Sequence, residues 1–161
     1  MVYNVKVSRF MLVIQGFLPR LRKKENCMTR KEARESCFKL LFEYEVQKLT
    51  AEEALELFYE LTEDVKGQTD YIDNTVKTAI SNVEKIDAVI EEYSNSWKVS
   101  RLAKVTLAVL RVAICEILYM DDIADSIAIN EAVEIAKKYG DEKSPKFVNG
   151  ILSSVYKSKE Q

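Results

Sequence analysis

The 161-residue sequence contains no histidine. Within this chain that absence excludes every Ser-His-Asp or Cys-His couple, every His-bearing zinc site and every imidazole acid-base catalyst. Turn formers are scarce, with 4 glycines and 2 prolines, against a combined share of about 12% in average proteins. β-rich folds need a turn signal about every 8–12 residues and are disfavoured accordingly. Cysteine is limited to Cys27, Cys37 and Cys115. This odd number without C-x-x-C spacing indicates neither a disulfide framework nor a thiolate metal site, and it fits a reducing cytoplasm. Long apolar runs are lacking too. The stretch Phe10 to Leu18 is too short for a bilayer, and the basic cluster after it is not the small-residue cleavage site of an export signal.

What is present is 47% hydrophobic residues with abundant Glu, Lys, Ala and Leu, the composition of long helices. Length and composition together predict one all-α domain. The formal charge is only -2, but it is unevenly spread. Residues 1–34 hold nine basic groups against Glu25 and Glu32, a net of +7, which leaves -9 for the remainder. Such asymmetry points to a nucleic-acid or anionic-membrane contact at the basic end. Conversely, residues 43–73 hold ten carboxylates and only Lys48 and Lys66, a surface that repels nucleic acid and suits a basic protein.

The helical domain is expected to begin at Met28, because Thr29-Arg30-Lys31-Glu32 has capping-box spacing. Residues 1–27 are read as a non-core extension, disordered or loosely amphipathic, for which a mis-assigned start is one reading; residues 28–161 are the domain. The first helix runs from Arg30 to about Gln47, with Ala33, Cys37, Leu40, Leu41 and Tyr44 as one apolar stripe. Thr50 and Glu53 open the second, and Gly67 separates it from the third, capped by Thr69 or Asp70. Ile86, Val89, Ile90 and Tyr93 mark a short fourth helix. The fifth, from about Ser100 to Met120, is apolar nearly all round and therefore central. The sixth runs from about Ser126 to Tyr139, with Gly140 at a left-handed C-terminal position. Ser144 caps the seventh, and Pro145 takes its first position.

No nucleophile, base, metal or cofactor site assembles from this pattern. Glu131 with Glu134, and Asp121 with Asp122, are carboxylate pairs of the kind solvated helix faces carry routinely. Arg111, in the middle of the apolar helix, demands a carboxylate partner, for which Glu131 and Glu116 are candidates. Cys37 and Cys115 read as small buried hydrophobes. Two helix entrances suit a polyanion better. Arg30, Lys31 and Arg34 share the exposed first turns of the first helix, where cations oppose the helix dipole and a bound phosphate relieves the conflict. At the seventh, Lys146 and Asn149 stand one turn apart beside Phe147. Asn149 can face a base edge, and Phe147 can stack on a splayed nucleotide or belong to the core. Gly150 marks close approach of another helix or of a ligand.

Three segments carry a resemblance: Arg111-Val112-Ala113-Ile114-Cys115-Glu116-Ile117; Ala128-Ile129-Asn130-Glu131-Ala132 continuing to Ala136-Lys137-Lys138-Tyr139-Gly140; and Lys146-Phe147-Val148-Asn149-Gly150-Ile151-Leu152. Together with the arginine-rich opening at Arg30 to Glu35, the chain resembles the NusB family of bacterial transcription antitermination factors over about residues 28–156. The resemblance implies an all-helical fold of two three-helix bundles and a non-catalytic, cytoplasmic RNA-binding role without cofactor or metal. It implies recognition of boxA RNA in nascent rRNA transcripts together with the ribosomal protein that acts as NusE, within the RNA polymerase antitermination complex. It also puts Arg30, Lys31, Arg34, Lys146, Phe147 and Asn149 in contact with RNA. The chain departs from many members at Thr106-Leu107, where they carry an acidic-basic dipeptide, and at Ala124, where they carry proline. Both departures bear on the NusE contact. The alternatives are a protein-protein scaffold that binds no RNA by itself and a small enzyme using Glu131 or Glu134. Homodimer formation stays open.

Overall fold

A computed structural model describes residues 27–62, 65–95 and 97–159. Of the expected extension 1–27, residues 1–26 lie outside the described residues, and its last residue, Cys27, is exposed. Seven α-helices are described: α1 Arg30–Gln47, α2 Ala51–Leu61, α3 Thr69–Ser81, α4 Val83–Tyr93, α5 Lys104–Tyr119, α6 Asp125–Tyr139 and α7 Ser144–Lys159, with a 3-10 turn at Val99–Arg101 before α5.

Both capping boxes form as the spacing dictates. The Thr29 N-H donates to Glu32 Oε2 at 2.8 Å while the Glu32 N-H donates to Thr29 Oγ1 at 3.2 Å. Thr50 and Glu53 repeat the same exchange at 2.8 and 3.2 Å. Each box satisfies two backbone donors that a helix start otherwise leaves free. Between α1 and α2, Lys48 turns the chain in the left-handed region at φ 56°; between α2 and α3, Gly67 does so at φ 83°, where the missing Cβ removes the steric cost.

Other helix ends differ from expectation. The α3 start uses the Gln68 carbonyl, which accepts the Ile72 N-H at 3.0 Å, with no side-chain cap from Thr69 or Asp70. α5 starts at Lys104 because residues 99–101 wind as a 3-10 turn. Gly140 is extended, not left-handed; its value lies in space, since a Cβ there would sit 2.6 Å from Ser144 Cβ. Ser144 is inside α7. The capping group is the Asp141 carboxylate, which accepts the N-H groups of Lys143 and Ser144 at 3.0 and 2.8 Å. Pro145 becomes the second helical residue, still within the turn that has no N-H partner inside the helix.

One continuous apolar core runs through all seven helices. α1, α2 and α3 pack on one another, as do α5, α6 and α7. α5 joins the two groups by packing against α1 and α3 as well, and α4 lies against α5 and α7. Thr106 to Ile117 are all buried, so α5 is the central element its sequence predicts. Large side chains such as Phe38, Leu41, Ile72, Ile114 and Leu152 are fully enclosed, each worth roughly 1.5–3 kcal/mol of transfer free energy.

Candidate nucleic-acid interface

The capped first turn of α1 fixes three cations in different environments. Arg30 is exposed, and its guanidinium carbon lies 4.1 Å from the centroid of the Tyr71 ring on α3, a cation-π contact. Lys31 is exposed. Arg34 is not the exposed group expected from its neighbours, because one turn further along α1 now faces α5 and the residue is only 3% exposed. Its Nε donates to both Glu116 oxygens, at 2.8 and 3.0 Å, and its Nη1 stands 3.8 Å from Glu131 Oε2. The Tyr71 hydroxyl donates to Glu116 Oε1 at 2.6 Å. Burial raises the Glu116 carboxyl above its usual range, opposed by Arg34 and Tyr71. Arg34 thus ties α1 to α5, while Tyr71, held by the same carboxylate, carries Arg30 on its ring.

At the second entrance, Lys146 and Asn149 are exposed on the first turns of α7, and Phe147 is partly buried against the core. Nothing lies within 4 Å of a Cβ built on Gly150, so no neighbouring helix explains that glycine. Thr106 and Leu107 are both buried, and Thr106 Oγ1 hydrogen-bonds Ser144 Oγ at 3.2 Å. In this chain Thr106 therefore links α5 to the α7 entrance, and Leu107 belongs to the core.

Sequence reasoning missed a third set of cations. The last turn of α6 places Lys137 and Lys138 on the surface. With Lys31, Glu35, Glu134 and Ile135 they line a cleft of about 240 Å³ between α6 and α1. The available signal was the adjacent lysine pair, but cations in a last helical turn complement the dipole and read as ordinary end groups. Tyr71 carried no signal at all, since its role depends on contacts with α1 and α5.

Arg111 also finds different partners from those expected. Its Nε and Nη2 donate to Asp87 of α4 at 2.8 and 2.7 Å, and its Nη1 donates to Glu45 of α1 at 2.9 Å. Lys104 Nζ adds a 2.6 Å contact to Glu45. Burial pushes the Glu45 carboxyl up, but Lys104 and Arg111 more than offset it and hold it at about 2. The arginine is therefore a structural clamp. Glu131 borders Arg34 and Glu134 pairs with Lys137 at 2.6 Å. Among the described residues no group of three or more His, Cys, Asp or Glu could hold a metal ion, and no helix is long and apolar enough to cross a membrane.

Fold and site together define a class by geometry: small all-helical domains that present cations, an amide and a partly buried aromatic ring at two helix entrances. The NusB family model matches residues 31–157, and the chain belongs to the NusB family. It is 48% identical over 127 residues to the transcription antitermination protein NusB of Thermoanaerobacter sp. (strain X514), covering 79% of this chain and 89% of that protein. The solved structure of T. maritima NusB superposes with a TM-score of 0.74 at 34% identity, covering 82% of this chain and 93% of that one. A chain in a crystal structure of the antitermination factors NusB and NusE in complex with dsRNA superposes with a TM-score of 0.69 at 31% identity, over 80% and 96% of the two chains.

Proposed function

We propose that this protein is a transcription antitermination factor that binds boxA-like RNA of nascent rRNA transcripts jointly with NusE. It acts in the cytoplasm within the RNA polymerase antitermination complex, as a binding protein rather than a catalyst. The observation that carries the reading is the pair of helix entrances in a NusB-family chain: exposed Arg30 and Lys31 on α1, exposed Lys146 and Asn149 with Phe147 on α7. The cations take phosphates, Phe147 stacks on an unpaired base and Asn149 reads a base edge, the division of labour common in single-strand recognition. Arg34 contributes by holding α1 on α5 rather than by touching RNA.

Fluorescence anisotropy of a labelled boxA RNA, with and without purified NusE, tests this. Each phosphate neutralised on a single strand contributes about 0.7 to the slope of log affinity against log salt, so the three exposed cations Arg30, Lys31 and Lys146 account for a slope of about 2. Arg30→Glu with Lys31→Glu should remove most binding while leaving helicity unchanged. Affinity unchanged in that variant, or independent of salt, defeats the reading. The exposed carboxylates Glu52, Glu56 and Glu60 on α2 favour a second reading, a scaffold that holds a basic protein without RNA. It predicts NusE capture by the same Arg30→Glu, Lys31→Glu variant and no RNA affinity in the wild type.

A further inference from the structure

We infer that the cleft between the start of α1 and the end of α6 is a subsite for the RNA phosphate backbone, formed by Lys31, Lys137 and Lys138 and gated by Glu134. The inference rests on the RNA-binding reading above and adds a segment of path to it. α6 ends between the two entrances. Its Lys138 Nζ contacts both Glu35 oxygens of α1 at 2.9 Å, and residues 140–143 carry the chain directly into the first turn of α7, where Lys146 stands. A strand that leaves Arg30 past Lys31 can follow this cleft toward Lys146 and Asn149.

The charges in the cleft are incompletely compensated. Glu35 serves Lys39 at 3.0 Å, Lys138 at 2.9 Å and the Tyr139 hydroxyl at once, so one carboxylate is shared by two lysines. Lys137 and Glu134 pair at 2.6 Å with both side chains more than half exposed, a kind of pair that water and salt weaken. A phosphate entering the cleft can displace Glu134 from Lys137 with little loss. Lys31, exposed at the other lip, completes three donors around the space. Contacts of this type set position and affinity without reading sequence.

The test measures affinity and salt slope for a boxA RNA and a scrambled RNA of equal length, using the full chain with NusE. Lys137→Gln with Lys138→Gln should weaken both RNAs by a similar factor, about 3- to 10-fold at moderate salt, and lower the slope by about 1.4, the value for two phosphate contacts on a single strand. Asn149→Ala should instead reduce discrimination between the two RNAs. Because Lys138 also anchors α6 on α1, Lys137→Gln alone and Glu134→Gln keep the test independent of folding. Glu134→Gln should tighten binding severalfold, whereas Glu60→Gln on α2, an equal change in net charge, should not. If Arg30→Gln weakens binding while the lysine variants and Glu134→Gln leave affinity and slope unchanged, the subsite is overturned and the RNA reading stands. If Arg30→Gln is equally silent, the RNA reading itself falls and takes the subsite with it.

Discussion

The Arg34-Glu116-Tyr71 cluster joins α1, α5 and α3 through charges withdrawn from water, and its removal in stages gives a quantitative test. Glu116 is fully buried and accepts three hydrogen bonds, two from Arg34 and one from Tyr71. Glu116→Ala leaves a guanidinium buried with only Glu131, 3.8 Å away, to answer it. Breaking a buried pair in this way costs about 3–5 kcal/mol, and the orphaned Tyr71 hydroxyl adds about 1–3 kcal/mol. At roughly 3–5 °C per kcal/mol for a domain of this size, Tm should fall by at least about 10 °C. Replacing the whole cluster by apolar groups, Arg34→Met with Glu116→Leu and Tyr71→Phe, removes the unpaired charge, and such exchanges are often neutral or stabilising. The triple variant should therefore be more stable than Glu116→Ala, a sign of strong coupling. Urea denaturation followed by circular dichroism measures both, with unchanged m-values. A cost below about 1 kcal/mol for Glu116→Ala, or a triple variant no better than it, refutes the reasoning. The refolded triple variant should also bind RNA within a few-fold of wild type, because Arg30 still has an aromatic face at position 71.

Glu45, held at about 2 by Lys104 and Arg111 against an ordinary 4.5, stabilises the fold fully above about pH 4.5 and loses that contribution as pH falls toward 2. The shift corresponds to about 3 kcal/mol, so Glu45→Gln should be less stable at neutral pH and show a flatter acid limb in pH-dependent melting. Gly140→Ala forces a Cβ to within 2.6 Å of Ser144 Cβ and 2.7 Å of the Ala136 carbonyl oxygen; a loss of about 1–3 kcal/mol is expected in denaturant melts. Gly150→Ala meets open space in mid-helix and should gain about 0.5–1 kcal/mol, while weakening RNA if the strand approaches the backbone there. Burial raises the thiols of Cys37 and Cys115, the latter to about 12, whereas Cys27 is exposed. A chromogenic disulfide reagent should therefore titrate one thiol in the native protein and three in denaturant.

Helix positions were readable because local chemistry decides them: Thr29 and Thr50 cap within three residues, and the apolar stripe of α1 has to face inward. Ends where neighbouring residues compete for one task were not readable. Gly140 leaves room for Ser144 four residues on, and Asp141 took the capping task from Ser144 because its carboxylate reaches two N-H groups. At the candidate interface it is tertiary packing that decides. Arg30, Lys31, Lys146 and Asn149 emerge exposed, as their helix positions imply, but Arg34 differs from Arg30 only in facing α5, which periodicity along one helix does not reveal. The partners of Arg111 lie 24 and 66 residues away, on α4 and α1, beyond any local rule. Lys137 and Lys138 gain their meaning from α1 lying alongside.

The shared position of α5 has a mechanical consequence. Glu116, near the C-terminal end of α5, grips α1 and α3, and Arg111, five residues earlier, grips α1 and α4, so one helix is fastened by charge to three neighbours. Such a spine leaves no seam along which the halves can open separately. Slowly exchanging amide protons on α1 and α7 should share one protection free energy, and a proteolytic nick near Trp97 should leave fragments that stay together until they come apart in a single step.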